Sequence, residues 1–120
     1  MNMTKECRKQ LSMVKESAAD STLAYVARTR LRRLILTCSR MIARKHGLTE
    51  PKLPGSFQVP EGAPHDFYEL AECCNHLDGI ARTLCQPSEP LDVRWKTEWA
   101  NVRVELERID EILAHIDCHT

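Results

Sequence analysis

The sequence lacks the long apolar run that a membrane span requires, and it has few aromatic residues. No segment approaches the roughly 18 to 20 consecutive apolar residues needed to cross a bilayer. Phenylalanine, tyrosine and tryptophan make up only 5% of the 120 residues, so aliphatic side chains must supply most of the packing. Residues 1–10 are polar and of mixed charge, unlike a secretory signal. We therefore expect a soluble, cytoplasmic protein without membrane contact.

Signatures of catalysis are also missing from the chain. There is no glycine-rich phosphate loop and no nucleophile elbow. Cys73 and Cys74 are adjacent, unlike the spaced cysteines of a CxxC redox pair. Cys38, Cys74 and Cys85 fall on apolar helical faces, which favours reduced thiols that pack as small hydrophobes. We predict no enzymatic activity and no cofactor, and nothing indicates a small-molecule substrate.

Histidine and cysteine occur in two groups, around His76 and around His115, that suggest a zinc site. A hairpin turning at residues 87–88 would place His76 about 18 Å and His115 about 40 Å from the turn, at about 1.5 Å per residue. The two groups therefore cannot meet. His65 would lie nearer to His115 and His119, but we predict no metal site, because histidines in a last helical turn are commonly surface residues.

Helical periodicity runs through the chain apart from one interruption. The segment from Gly47 to Pro64 contains four prolines and three glycines, which predicts a loop over 47–63. Helices are predicted at roughly 4–19, 22–46, 64–86 and 89–117. We expect one all-α domain, residues 1–120, that resembles a four-helix bundle with one long Pro/Gly-rich crossover loop.

The apolar stripe changes direction between the first two helical segments. Their apolar stripes point in nearly opposite directions at about 100° per residue. Residues 4–46 are therefore either two helices with a turn near Asp20–Thr22 or one long helix with two partners. We favour the turn, although no glycine or proline marks it.

The last helix carries the most regular apolar pattern, with spacings that alternate between four and three residues as in a coiled-coil seam. The core positions are Leu91, Trp95, Trp99, Val102, Leu106, Ile109, Leu113 and Ile116. We expect Trp99, Leu106 and Leu113, together with Leu34 of the second helix, to be almost fully buried.

Charge is distributed unevenly, although the formal net charge is zero. Residues 1–48 contain eleven Lys and Arg against three acids, a net charge of +8. Residues 49–120 contain six against fourteen, a net charge of −8. Such asymmetry can steer a partner or another copy of the chain. We expect self-association, since the seam and the outer apolar positions of the second helix offer more apolar surface than one bundle covers.

The second helix presents the strongest candidate binding surface. No acid occurs between Asp20 and Glu50, whereas a solvated helix face usually mixes charge signs. Arginine binds phosphate bidentately and stacks on rings. Arg28, Arg32, Arg33 and Arg40 project outward or flank the outward line, Tyr25, Leu36 and Ala43 share this face, and Arg44 and Lys45 add to its field.

Three interpretations of this basic surface are open. The arginines could neutralise the acidic third and fourth helices of the same molecule, contact a nucleic-acid backbone, or grip an acidic protein. Tyr25 and Leu36 are more typical of protein interfaces than of phosphate grooves. We predict a small non-catalytic accessory or subunit of a larger complex that contacts nucleic-acid backbone. The alternative is an adaptor or inhibitor that docks on an acidic protein partner.

One spacing on the last helix points to a further alternative. Arg108 and His115, with six residues between them, resemble the Arg-x4–6-His element of the HEPN family of helical, often dimeric ribonucleases. The resemblance implies ribonuclease activity with these two residues in the site. Ile109 stands where the family has a polar residue, and Arg40 and His46 show a similar spacing. An exposed, salt-bridged helix face explains the spacing more simply.

Overall fold

The computed structural model describes residues 3–18, 24–84 and 90–118. These residues form four helices: α1 (Lys5–Ala18), α2 (Ala24–Lys45), α3 (His65–Leu84) and α4 (Leu91–Cys118). No strand occurs in these three ranges, which confirms the all-α, four-helix bundle-like fold. Within them, no helix combines the length and the apolarity that crossing a membrane requires.

The first two helices are separate and run antiparallel. Cys7 near the start of α1 contacts Met41 near the end of α2, with 3.8 Å between the two sulfurs. Arg30 near the start of α2 donates a hydrogen bond from Nη1 to the Met13 carbonyl at 3.1 Å. The predicted turn at residues 20–22 lies outside the described residues. The antiparallel contact nevertheless decides between one helix and two.

The remaining neighbours are antiparallel as well. His115 near the end of α4 lies 2.6 Å from Asp66 at the start of α3, measured between Nδ1 and Oδ2. Arg8 at the start of α1 donates to Asp117 at the end of α4, with 2.8 Å between Nη2 and Oδ2. The four helices therefore form an up-and-down bundle in which α1 packs beside α4.

The long loop joins two helix ends that lie side by side. Gly47 adopts a positive φ of 68°, as expected of a residue that ends a helix in the left-handed region. The ring of His46 then packs edge-on against Phe67 of α3, with 5.0 Å between the centroids. Between these ends the loop packs on the bundle, since Val59 is part of the buried core and the Tyr68 hydroxyl donates to the Pro60 carbonyl at 2.7 Å.

The burial of Ala43 overturns one expectation about α2. Ala43 is fully buried, although its position on the helix predicted an outer face. The helix ends two residues later, and the backbone N–H of Leu48 donates to the Ala43 carbonyl at 2.8 Å, as in a C-terminal capping turn around Gly47. A helical-wheel argument gives the direction of a side chain and cannot show whether other segments of the chain cover it.

The predicted core is largely confirmed, with one error. Leu34, Leu106 and Leu113 are fully buried, but Trp99 is only partly buried and packs against the buried Trp95, with 6.3 Å between ring centroids. A seven-residue repeat drifts by about 20° per heptad on a straight α-helix. Trp99 begins the row that continues through Leu106 and Leu113, so it lies at the edge of the buried stripe.

A candidate anion-binding surface on helix α2

The structure divides the predicted arginines of α2 into two groups. In the first half of the helix, Arg32 and Arg33 are exposed, and the half-buried Arg28 lies beside the exposed Tyr25. The arginines in the second half are engaged by the long loop. Arg32 and Arg33 of the first group are therefore available to a partner without breaking a contact with another described residue.

The first half of α2 carries an exposed surface, the arginine patch, that consists of Tyr25, Val26, Arg28, Arg32 and Arg33. Tyr25 is 66% exposed and Val26 is 39% exposed. The guanidinium carbon of Arg28 lies 5.4 Å from the centre of the Tyr25 ring, a cation–π contact. Arg32 and Arg33 are exposed and make no ion pair or hydrogen bond with any described residue. Two full positive charges therefore face solvent beside an exposed aromatic ring.

The second half of α2 is tied to the loop. Arg40 donates from Nε to the Pro51 carbonyl at 2.9 Å and is half-buried. Arg44 donates from Nη2 to Glu50 Oε1 at 2.9 Å. The hydrogen bond to Arg44 lowers the pKa of Glu50 below its ordinary value and raises the pKa of Arg44 in turn. Lys45 is exposed. Leu36, predicted on the outer face, is half-buried.

Helix α1 makes ion pairs that join the basic half of the chain to α4. Arg8 Nη2 lies 2.8 Å from Asp117 Oδ2, and Lys15 Nζ lies 3.4 Å from Asp110 Oδ2. The Thr4 hydroxyl also donates to Asp117, at 2.7 Å. In the part of the chain that is described, Arg30, Arg32, Arg33, Arg40 and Arg44 make no ion pair with an acid of α3 or α4. Pairing with α3 and α4 therefore does not account for these five arginines, of which Arg44 is neutralised by Glu50 of the loop.

A polar cluster between α3 and α4 was not foreseen from the sequence. Its centre is Glu105, a largely buried carboxylate whose Oε1 lies 3.3 Å from His76 Nδ1 and whose Oε2 lies 3.8 Å from Arg108 Nη1. Burial and, to a smaller extent, a hydrogen bond with Glu105 raise the pKa of Cys73 to about 12. A nucleophilic cysteine requires a lowered pKa. The raised pKa of Cys73 therefore favours a packing role for this thiol over a nucleophilic one.

The two residues that resemble the HEPN element are held by different acids. Arg108 pairs with Glu105 one turn earlier on α4, whereas His115 contacts Asp66 of α3. The corresponding pair on α2 is also separated: His46 Nδ1 lies 2.7 Å from the Ile42 carbonyl, and Arg40 is bound to the loop. The histidines considered for a metal site are similarly engaged, since His65 contacts Glu69 at 2.6 Å. His119 lies outside the described residues, and no metal-binding group of three ligands occurs within them.

The buried thiols lead to a prediction about reactivity. Hydrogen bonds with the Cys7 and Cys74 thiols, together with burial, raise the pKa of Cys38 well above its ordinary value. Because a raised pKa lowers the thiolate fraction at any given pH, Cys38 and Cys73 should react with iodoacetamide more than about 100-fold slower than the exposed Cys118 at about pH 8. Peptide mass spectrometry of labelled protein measures these rates. Equal labelling of Cys73 and Cys118 in the folded protein would contradict the burial, and equal labelling in concentrated guanidinium chloride is the control.

The fold and the surface together define a small helical bundle with a solvent-facing arginine patch. Comparison with protein-family models, with curated proteins and with solved structures finds no match to this chain. The functional argument therefore rests on the geometry of the surface.

Proposed function

We propose that the protein is a small, non-catalytic binding protein, an accessory or subunit of a larger complex, that contacts the phosphate backbone of a nucleic acid through the arginine patch. The observation that supports this proposal is the exposure of Arg32 and Arg33 without an ion pair among the described residues. An arginine already paired to an acid must exchange that acid for a phosphate, so the exchange contributes little to the free energy of binding. An unpaired arginine releases a condensed counterion from the nucleic acid and gains its contact in full.

The neighbouring side chains fit a single-stranded ligand in particular. Tyr25, the aromatic residue of the patch, is 66% exposed, and base–aromatic stacking is tolerant of sequence. Arg32 follows Tyr25 by seven residues and lies on the same face of α2, about 10 Å further along the helix. A stacked base and a neighbouring phosphate can therefore be contacted by one helix face.

The experiment is a binding titration of labelled single- and double-stranded nucleic acid over a series of salt concentrations. Affinity should fall steeply as salt rises, because phosphate contacts dominate such binding. Prolonged incubation of the same samples should leave the nucleic acid intact, which separates backbone binding from the ribonuclease alternative. If the protein binds neither single- nor double-stranded nucleic acid at low salt, the proposal is wrong and a protein partner is favoured.

An acidic protein partner is the second candidate, and the exposure of Val26 favours it. A valine cannot stack on a base, so Val26→Ala should leave nucleic-acid affinity within about twofold. An interface that buries Val26 should lose measurable affinity on the same change. Val104→Ala is the matched control, because Val104 is also an exposed valine on a helix and lies on α4.

We also propose that the protein associates with itself. Arg32 and Arg33 make no ion pair with a described acid of α3 or α4, so the acids of a second copy can offer them a complementary charge. Light scattering at high protein concentration and low salt should show a mass above that of the monomer, with a return toward the monomer as salt rises. A monomeric mass under the low-salt condition would contradict this expectation.

A further inference from the structure

A recessed pocket lies between the first turn of α1 and the last turns of α2. Its volume is about 580 Å³, which falls within the range of small-molecule sites. Four cationic side chains line it, Lys5, Arg40, Arg44 and Lys45, together with one acid, Glu6. The buried Cys7 and Met41 form part of its apolar wall. A concave site with convergent charge differs in kind from the open face of the arginine patch.

The charge balance of the pocket favours a divalent anion. Glu50 pairs with Arg44 outside the lining, so Glu6 and Glu50 offset two of the four cations and leave a net charge of +2. Lys5 and Lys45 are exposed and have no ion-pair partner within the described ranges. The hydrogen bond from Arg40 Nε to Pro51 fixes its guanidinium in place. The positive N-terminal end of α1 and the negative C-terminal end of α2 both border the pocket, so their dipoles oppose each other and the side-chain charges set its field.

We propose that this pocket binds a phosphomonoester group. Such a group carries a charge of about −1.5 to −2 at neutral pH and offers three acceptor oxygens. A phosphate inside a nucleic-acid backbone carries a single charge and is flanked by sugars on both sides, so it suits an open surface better than a recess. The ligand is either the terminal phosphate of a nucleic-acid strand or a free phosphate ester of nucleotide size. The inference does not rest on the proposed function of the arginine patch.

The test compares three probes on the full chain. These are a 5′-phosphorylated single-stranded oligonucleotide, the same oligonucleotide with a 5′-hydroxyl, and adenosine 5′-monophosphate alone. The 5′-phosphorylated strand should bind about tenfold more tightly than its 5′-hydroxyl counterpart, the effect expected of one charge-assisted hydrogen bond or more. Affinity for the monophosphate should rise as the pH increases through about 6, because the phosphate gains its second charge there.

The double variant Lys5→Ala/Lys45→Ala should abolish the preference for the 5′-phosphate. Both side chains are exposed, so the fold should be retained, and circular dichroism checks this. Lys9→Ala/Lys52→Ala is the matched control, because these two exposed lysines lie outside the pocket and their removal changes the net charge equally. An equal loss of preference in the control variant would show a general charge effect and overturn the inference.

The remaining outcomes separate the pocket from the arginine patch. Equal affinity for the two oligonucleotides, with no binding of the monophosphate, overturns the inference that the pocket binds a phosphomonoester. It leaves the proposed nucleic-acid binding by the arginine patch unaffected. Binding of the monophosphate by a protein that retains no 5′-hydroxyl strand at low salt supports the pocket and removes the nucleic-acid proposal. Among results that support the pocket, the comparison is made in the Arg32→Glu/Arg33→Glu variant, which lacks the backbone contacts of the patch. There, tighter binding of the phosphorylated strand than of the monophosphate identifies a strand end, and equal binding identifies a free ester.

Discussion

Replacement of Leu106 with alanine should lower the free energy of unfolding by about 2 to 5 kcal/mol. Leu106 is fully buried on α4, between Val102 and Ile109 of the same seam. Removing its isobutyl group loses the transfer free energy of the buried carbons and leaves a cavity that the surrounding helices fill only in part. Chemical denaturation of the variant and the wild type, followed by circular dichroism, measures the difference.

The matched control for this change is Val104→Ala. Val104 lies two residues away on the same helix and is 53% exposed, so its truncation should change the free energy of unfolding by less than about 0.5 kcal/mol. The pair separates core packing from helix propensity, which alanine improves at both positions. A loss below about 0.5 kcal/mol for Leu106→Ala would mean that the seam does not pack in the bundle and faces solvent or a partner.

The helical pattern of the sequence was sufficient to predict the bundle. Apolar residues that recur at helical spacing must be buried together, and a chain with four such segments has few other ways to do so. The edges of each stripe were harder to predict. Trp99 was placed in the core and Ile112 was not, yet Ile112 is buried and Trp99 is partly exposed. The drift of the seam around α4 explains both, because it moves the buried side of the helix from one edge to the other along its length.

The sequence predicted which side of α2 points outward, but it could not predict which residues on that side contact other parts of the chain. The periodicity correctly places Arg32 and Arg33 away from the core. It cannot show that the loop returns to bind Arg40 through Pro51 or that Ala43 is buried. Loop paths depend on contacts between residues far apart in sequence, and local periodicity carries no information about them.

The polar cluster around Glu105 and the pocket beside Lys5 depend on the register between helices. His76 meets Glu105 because α3 and α4 are aligned at one particular height, and Lys5 shares a pocket with Lys45 because α1 and α2 are aligned at another. A shift of one helical turn, about 5.4 Å, would keep the apolar stripes in contact and separate both pairs. Sites between helices therefore required the structure, whereas a surface on one helix did not.

Replacement of Arg32 and Arg33 with glutamate should weaken nucleic-acid binding by on the order of 100-fold at moderate salt, with no loss of fold. Both side chains are exposed and make no ion pair with a described residue, so the free energy of unfolding should stay within about 0.5 kcal/mol of the wild type. Arg40 is best left unchanged, because its contact with Pro51 holds the loop. Two phosphate contacts fewer should also reduce the slope of log affinity against log salt by about two.

The matched control for this charge reversal is Lys96→Glu/Arg103→Glu. These two cations are exposed on α4, away from the arginine patch, and their reversal changes the net charge of the chain by the same amount. A general electrostatic attraction would weaken equally in both double variants, whereas a contact made by the patch is lost only when Arg32 and Arg33 are changed. Single changes of either arginine to alanine should weaken binding similarly for every nucleic-acid sequence, because backbone contacts carry no base information. Full affinity and an unchanged salt slope in Arg32→Glu/Arg33→Glu would show that nucleic acid binds elsewhere on the protein.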